Sequence, residues 1–236
     1  MKRSLFKCCS DSQTHFRTMI TIPENIAQKK RRVFGPIGRF LIKLCKWEIK
    51  GEIPNLKKII LIGVPHTAMR DAWYGLLAVL ALDLKISFFG AAWIFTRLPS
   101  LFTLSKNLDR QGIPWPLWWL QKYILQKLGG IPVYRVNSKG LIHAAVEEFK
   151  NKENYILVIA PEGGVEAVEQ FRSGFYYLAK GLDIPYVPVD IDFGNRCFNI
   201  KESQFVSGSF EDESKKIIEI FDGVKGATRT FTMLER

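Results

Sequence analysis

Three histidines are available for proton transfer in this 236-residue chain, and one of them stands where chemistry would use it. His66 follows an apolar run, Ile59-Ile60-Leu61-Ile62-Gly63-Val64, and then Pro65, and it precedes Asp71 by five residues. On a regular helix, residues five apart are separated by about 140° and do not share a face. If His66 lies in an extended lead-in before the first helical turn, its ring folds back toward Asp71. A carboxylate on one imidazole nitrogen fixes the tautomer and leaves the other nitrogen as a general base. His15 sits in a strongly basic stretch and reads as solvated. His143 neighbours Glu147 and Glu148, where an i,i+4 contact is ordinary helix decoration.

A second group surrounds Glu162. In Ala160-Pro161-Glu162-Gly163-Gly164 the carboxylate stands between a helix-forbidding Pro and two flexible Gly. Such a turn presents its side chain and its backbone N–H groups to a polar ligand, although an ordinary strand-to-loop turn has the same look. Arg135, directly after Ile131-Pro132-Val133-Tyr134, is a forked donor suited to phosphate, and Arg172 brackets the same edge. The chain has no G-x-S-x-G nucleophile elbow, no H-E-x-x-H, no Cys/His cluster and no glycine-rich phosphate loop. No metal and no bound cofactor is therefore expected. A His–Asp pair without a protein nucleophile implies that the substrate brings its own hydroxyl to an activated carbonyl.

The elements that must position these groups alternate. Lys57–Gly63, Lys85–Gly90, Ile131–Val136, Tyr155–Ala160 and Ile184–Asp192 have the apolar character of buried strands, with Cys197–Ile200 a hairpin partner. His66 to about Leu82 reads as a loop entering a helix, and helical patterns run over Trp115–Leu128, from a Ser138 cap to about Lys150, and over Gly174–Gly181 and Glu211–Phe221. This predicts an α/β fold, a mostly parallel central sheet flanked by helices on both faces, preceded by a basic amphipathic helical arm. The arm is placed at residues 1–46 and a single catalytic domain at 47–236. Ligands of open α/β sheets gather beyond the carboxyl ends of the strands, where His66, Arg135 and Glu162 all fall.

Charge is unevenly spread. The net charge is +11, and residues 1–50 hold 12 Lys and Arg against 3 Asp and Glu. Such a stripe suits an anionic membrane surface or nucleic acid, or is simply solvated. No nucleic-acid module accompanies it, so no nucleic-acid partner is expected. Phe34, Ile37, Phe40, Leu41, Leu44 and Trp47 recur at helical spacing among Arg and Lys, and a second stretch places Trp115, Trp118 and Trp119 beside Lys122 and Lys127. Both patterns fit a membrane interface; both also fit core helices packed on the body. No uncharged apolar stretch approaches the ~18 residues that span a bilayer. The start of the chain is too polar for a secretory signal, and Cys8 and Cys9 give a weak acylation cue. The four Cys suggest no disulfide framework, which points to a reducing compartment.

Four motifs in order carry a resemblance over residues 47–192. His66-x-x-x-x-Asp71, Gly130-Ile131-Pro132-Val133-Tyr134-Arg135, Pro161-Glu162-Gly163 and Ile184-Pro185-Tyr186-Val187-Pro188-Val189 together resemble the glycerolipid acyltransferases typified by 1-acylglycerol-3-phosphate acyltransferases. The resemblance implies His66 as general base, Asp71 as its orienter, and Arg135, Glu162 and Gly163 as acceptor-binding residues. It also implies a lysophospholipid or glycerol-phosphate-like acceptor, and an acyl-CoA or acyl carrier protein thioester as co-substrate. Monotopic attachment to the cytoplasmic face of a membrane follows from it too. Backbone N–H groups at the helix start are expected to stabilise the oxyanion. Two positions depart from the family pattern. The third motif, usually Glu-Gly-Thr-Arg, here reads Glu162-Gly163-Gly164-Val165, and the usual Ser two residues after the His is Ala68. Arg172 is a substitute for the missing cation; a different acceptor or a catalytically silent lipid-binding homologue is the alternative.

Overall fold

The computed structural model describes residues 20–100, 109–134, 140–166, 168 and 170–232. In chain order the main elements are α1 (Phe34–Leu44), β1 (Glu48–Lys50), β2 (Lys58–Val64), α2 (Met69–Ala81), β3 (Ile86–Ala91), β4 (Arg97–Leu98), β5 (Ile113–Pro114) and α3 (Trp118–Lys127). They continue with β6 (Gly130–Val133), α4 (Leu141–Lys150), β7 (Tyr155–Ile159), α5 (Gly174–Leu182), β8 (Tyr186–Asp192), β9 (Cys197–Ile200) and α6 (Phe210–Phe221). Seven strands form one sheet in the order β1-β9-β8-β2-β7-β3-β6, and β4 and β5 make a separate antiparallel pair. From β8 to β6 all neighbours are parallel; β9 turns back antiparallel on β8 and carries β1 with it.

Each strand of the centre divides its side chains between two helical layers because successive residues point to opposite faces. Ile60, Ile62 and Val64 of β2 join a core with Phe149 of α4, Phe175 and Leu178 of α5, and Ile217 and Phe221 of α6. Ile59 turns to the other face, where Ile156, Leu82 and Leu84 gather, and next to them Leu77 and Ala81 of α2 meet Ile42 of α1. Burial on both faces explains why β2 is an unbroken apolar run with no polar alternation.

Two segments differ from the sequence expectation. The amphipathic stripe ends at Leu44, and Trp47 is not part of it. Lys46 takes φ 57°, the chain turns, and Trp47 is buried against Tyr74, Phe193 and Phe198 with ring centroids 4.6–4.9 Å away. The helix expected from Trp115 begins only at Trp118, past Pro116. The expected cap Ser138 lies outside the described residues; the residue preceding α4 is Gly140.

Neither aromatic segment is a core helix. α1 packs on α2 through Gly38 and Ile42, with Gly35 against Asp83 just beyond it, and Gly38 is required there: a Cβ would sit 2.8 Å from the Ala81 backbone nitrogen. Its other face, Phe34, Ile37, Phe40 and Leu44, stays exposed, with Phe34 at 62% and Phe40 at 63%. α3 has no buried residue at all, and Trp119 is 56% exposed. Among the described residues no helix is long and apolar enough to cross a membrane.

Candidate active site

The chain leaves β2 toward α2 on one face of the sheet and leaves β7 toward α5 on the other. Because β2 and β7 are neighbours, their two exits part and open a crevice at the carboxyl ends, the switch point where α/β sheets bind ligands. Ile62 pairs with Ile159 at the end of this ladder, so the residues a few positions beyond each are brought together. His66 and Glu162 are those residues.

The β2 exit over Pro65–Thr67 is neither helix nor strand, and α2 does not begin until Met69. Ala68 is the N-cap of α2, with extended backbone angles, and Asp71 occupies the third helical position. From there the Asp71 carboxylate folds back. Its Oδ2 accepts from the Thr67 N–H and, at 2.7 Å, from the Ala68 N–H. This is one half of a capping box; Ala68 has no hydroxyl to return the bond. The same Oδ2 lies 3.7 Å from His66 Nδ1, an ion-pair distance longer than a hydrogen bond. His66 therefore presents Nδ1 to a carboxylate that is only 1% exposed.

Glu162 approaches from the other strand. Its Oε2 accepts the His66 backbone N–H at 2.7 Å, so a side chain from one exit fixes the backbone of the other. Burial, with a smaller push from Asp71, raises the Glu162 carboxyl to about 7 against the opposing His66 N–H and Arg229 charge. Asp71 is shifted in the same direction by burial, opposed by the Ala68 and Thr67 N–H groups and by His66. One buried carboxyl facing the His66 imidazole and a second holding its backbone, both raised by burial, mark a candidate site for moving protons.

The remaining expected residues divide. Gly163 follows with φ +70°, and a Cβ there would fall on the Arg172 side chain, 2.5 Å from Cδ. Glycine is thus needed for the turn and for the arginine that crosses it. The Arg172 N–H binds the Pro161 carbonyl at 2.8 Å, which holds that crossing in place. Arg135 lies outside the described residues. His143 is exposed on α4 and far along the chain from the crevice residues. The Thr67 and Ala68 N–H groups are committed to Asp71, which takes these two out of the expected oxyanion donors. No group of three or more His, Cys, Asp or Glu among the described residues is arranged to hold a metal ion. An open groove of about 870 Å³, lined by Ile20, Pro23, Ile53 and Lys201–Ser203, is formed by other segments of the chain than the crevice.

Sequence reasoning missed the C-terminal segment. Gly226–Arg229 forms a tight hairpin, with Lys225 bridged to Thr230, and it docks onto the β2 exit. Thr228 donates its N–H to Thr67 Oγ1 at 3.2 Å and its hydroxyl to the Thr67 carbonyl at 3.0 Å. Arg70 reaches back to the Ala227 carbonyl. Arg229 donates from Nη1 to the Val165 carbonyl at 2.8 Å. Only a positive charge in a polar tail marks these residues in the sequence, and nothing local says where they land.

The fold has a counterpart among solved structures. The fold is similar to that of the 1-acyl-sn-glycerophosphate (LPA) acyltransferase PlsC from Thermotoga maritima, with a TM-score of 0.51. The likeness covers 79% of this chain and 74% of that one at 16% sequence identity. What the two share is a fold. No protein-family model matches the chain, and no curated protein matches it in sequence.

Proposed function

We propose that the protein is a membrane-associated O-acyltransferase, moving a fatty acyl group from an acyl thioester to a hydroxyl of a lysophospholipid or similar glycerol-phosphate acceptor. One observation carries this reading: His66, set 3.7 Å from a buried Asp71 and tied through its backbone to Glu162, lines the switch-point crevice of a fold similar to an LPA acyltransferase. With Nδ1 turned to Asp71, Nε2 takes the proton from the acceptor hydroxyl. The hydroxyl oxygen forms a bond to the thioester carbonyl carbon, and the carbon–sulfur bond breaks. His66 then returns the proton to the departing thiolate. Asp71 stabilises the transient imidazolium and holds the tautomer. General-base help of this kind contributes roughly 10²- to 10⁴-fold, and positioning of the thioester against the hydroxyl supplies much of the rest.

The exposed apolar side of α1, with Lys43 and Arg32 along it, and the bare α3 surface with Trp118, Trp119 and Tyr123 are the proposed attachment to the cytoplasmic face of an anionic membrane. Attachment through α1 predicts that Phe34→Ser with Phe40→Ser weakens co-sedimentation with anionic liposomes by about 10- to 100-fold, from the apolar area lost. Unchanged co-sedimentation removes α1 from that role.

The enzymatic reading is tested by incubating the purified chain with acyl-CoA or acyl carrier protein thioester and lysophosphatidic acid. One thiol is expected per acyl group transferred, and none without acceptor. No product and no thiol from either carrier across a panel of lysophospholipids overturns it; liposome binding alone would then favour a lipid-binding homologue.

A further inference from the structure

The turn after β7 carries no cation of its own, yet two guanidinium groups reach it from elsewhere. Arg172 crosses Gly163 from the start of α5. Arg229 arrives from the C-terminal hairpin and binds the Val165 carbonyl at 2.8 Å, close enough to Glu162 for its charge to act on that carboxyl. We propose that Arg229, together with Arg172, forms the anion subsite that takes the phosphate of the acceptor. The proposal rests on the acyltransferase reading for the meaning of "acceptor", but not for the existence of the subsite.

Three features argue for it. The guanidinium has five N–H donors and the Val165 carbonyl uses one group of them, so the fork remains able to grip a phosphate. The hairpin that carries it is anchored at several points. Thr228 makes two bonds to Thr67, Arg70 holds the Ala227 carbonyl, and Gly226 packs so tightly that a Cβ would lie 2.7 Å from Thr67 Cγ2. Behind it, the buried Phe231 stacks on Phe171 at 5.9 Å and packs against Phe221. Every one of these ties runs to the loop bearing His66 or to the core below it, so the arginine is held at a set position relative to the base. Finally, burial raises the Glu162 carboxyl to about 7, so its negative charge is reduced beside the two guanidinium groups near neutral pH. A dianionic phosphate complements these two guanidinium groups.

The substrate class that follows is a hydroxyl acceptor bearing a phosphomonoester. Two measurements test it on the full chain. In turnover, the ratio of kcat/KM for lysophosphatidic acid to that for monoacylglycerol should fall about 10- to 100-fold in Arg229→Gln, the scale of a lost charge-assisted hydrogen bond. Arg229→Lys, which keeps the charge and loses the fork, should fall between. A purely structural strap would depress both acceptors equally and leave the ratio unmoved, which would overturn the proposal. In binding, glycerol 3-phosphate titrated calorimetrically should bind wild type at least tenfold more tightly than Arg229→Gln, whether or not any acyl transfer is seen. Equal binding by the two proteins, or none by either, overturns the subsite. Inorganic phosphate binding as tightly as glycerol 3-phosphate, with no preference between acceptors in turnover, would overturn its assignment to the acceptor. Absence of transfer to both acceptors, with the binding difference intact, instead removes the acyltransferase reading and leaves the anion subsite standing.

Discussion

The exit from β2 is held from four directions, whereas the exit from β7 leans on two arginines that come from other parts of the chain. Around His66 the ties are short and mutually dependent: Glu162 on the His66 N–H, Asp71 on the next two N–H groups, Thr228 on Thr67, and Arg70 on Ala227. Around Gly163 the backbone bonds include Gly163 N–H to Ala160 and Arg172 N–H to Pro161, and the Arg172 and Arg229 side chains pack on the turn. The difference teaches where geometry is fixed and where it is open to change. A base must be placed to a fraction of an ångström, and a supporting shell of hydrogen bonds does that. The proposed acceptor subsite asks only that a guanidinium arrives, from whichever segment supplies it.

The comparison breaks most visibly at Asp71. Asp71→Asn keeps an acceptor for the two N–H groups and removes the charge that holds the imidazole, so kcat should fall roughly 10²- to 10⁴-fold with little loss of melting temperature. A fall of less than tenfold would show that the four-way hold serves folding and not chemistry. Glu162 joins the two exits, and its effect is read in stability against pH. Its folded pKa of about 7 exceeds the ordinary 4.5, so the folded state binds more protons between these values. Its contribution is complete below about pH 4.5 and is lost as pH rises through about 7, on the order of 3 kcal/mol in all. Glu162→Gln, still able to accept the His66 N–H, should lose less stability than wild type between pH 5 and pH 8 in urea unfolding. Parallel curves for the two proteins would place the titration elsewhere. The smallest effect sharpens the same contrast. Ala68→Ser completes the capping box at the start of α2 and should raise stability by about 1 kcal/mol. No gain would mean that the β2 exit is already as rigid as it can become.

Much of this was legible before any coordinates. The run Ile59–Val64 announces a strand buried on both faces, and the five-residue step from His66 to Asp71 asks for a lead-in outside the helix, which is where His66 stands. Glu162 was marked by its place after a strand between Pro and Gly. The C-terminal hairpin was not legible, because its contact with Thr67 joins residues 161 apart and its bridge has no period to detect. β1, three residues long, and β4 and β5, two each, are too short for alternation to show. Trp47 was misread for a related reason. It keeps the helical step of Phe40 and Leu44, but a left-handed residue at Lys46 turns it inward, and one backbone angle is invisible to a hydrophobic pattern.

The imidazole of His66 carries the whole account, and its removal tests it most directly. The measurement is acyl transfer by purified His66→Ala, with circular dichroism and liposome co-sedimentation matched to wild type. The account predicts a loss of roughly 10²-fold or more at unchanged fold and membrane binding. Activity within tenfold of wild type would contradict it.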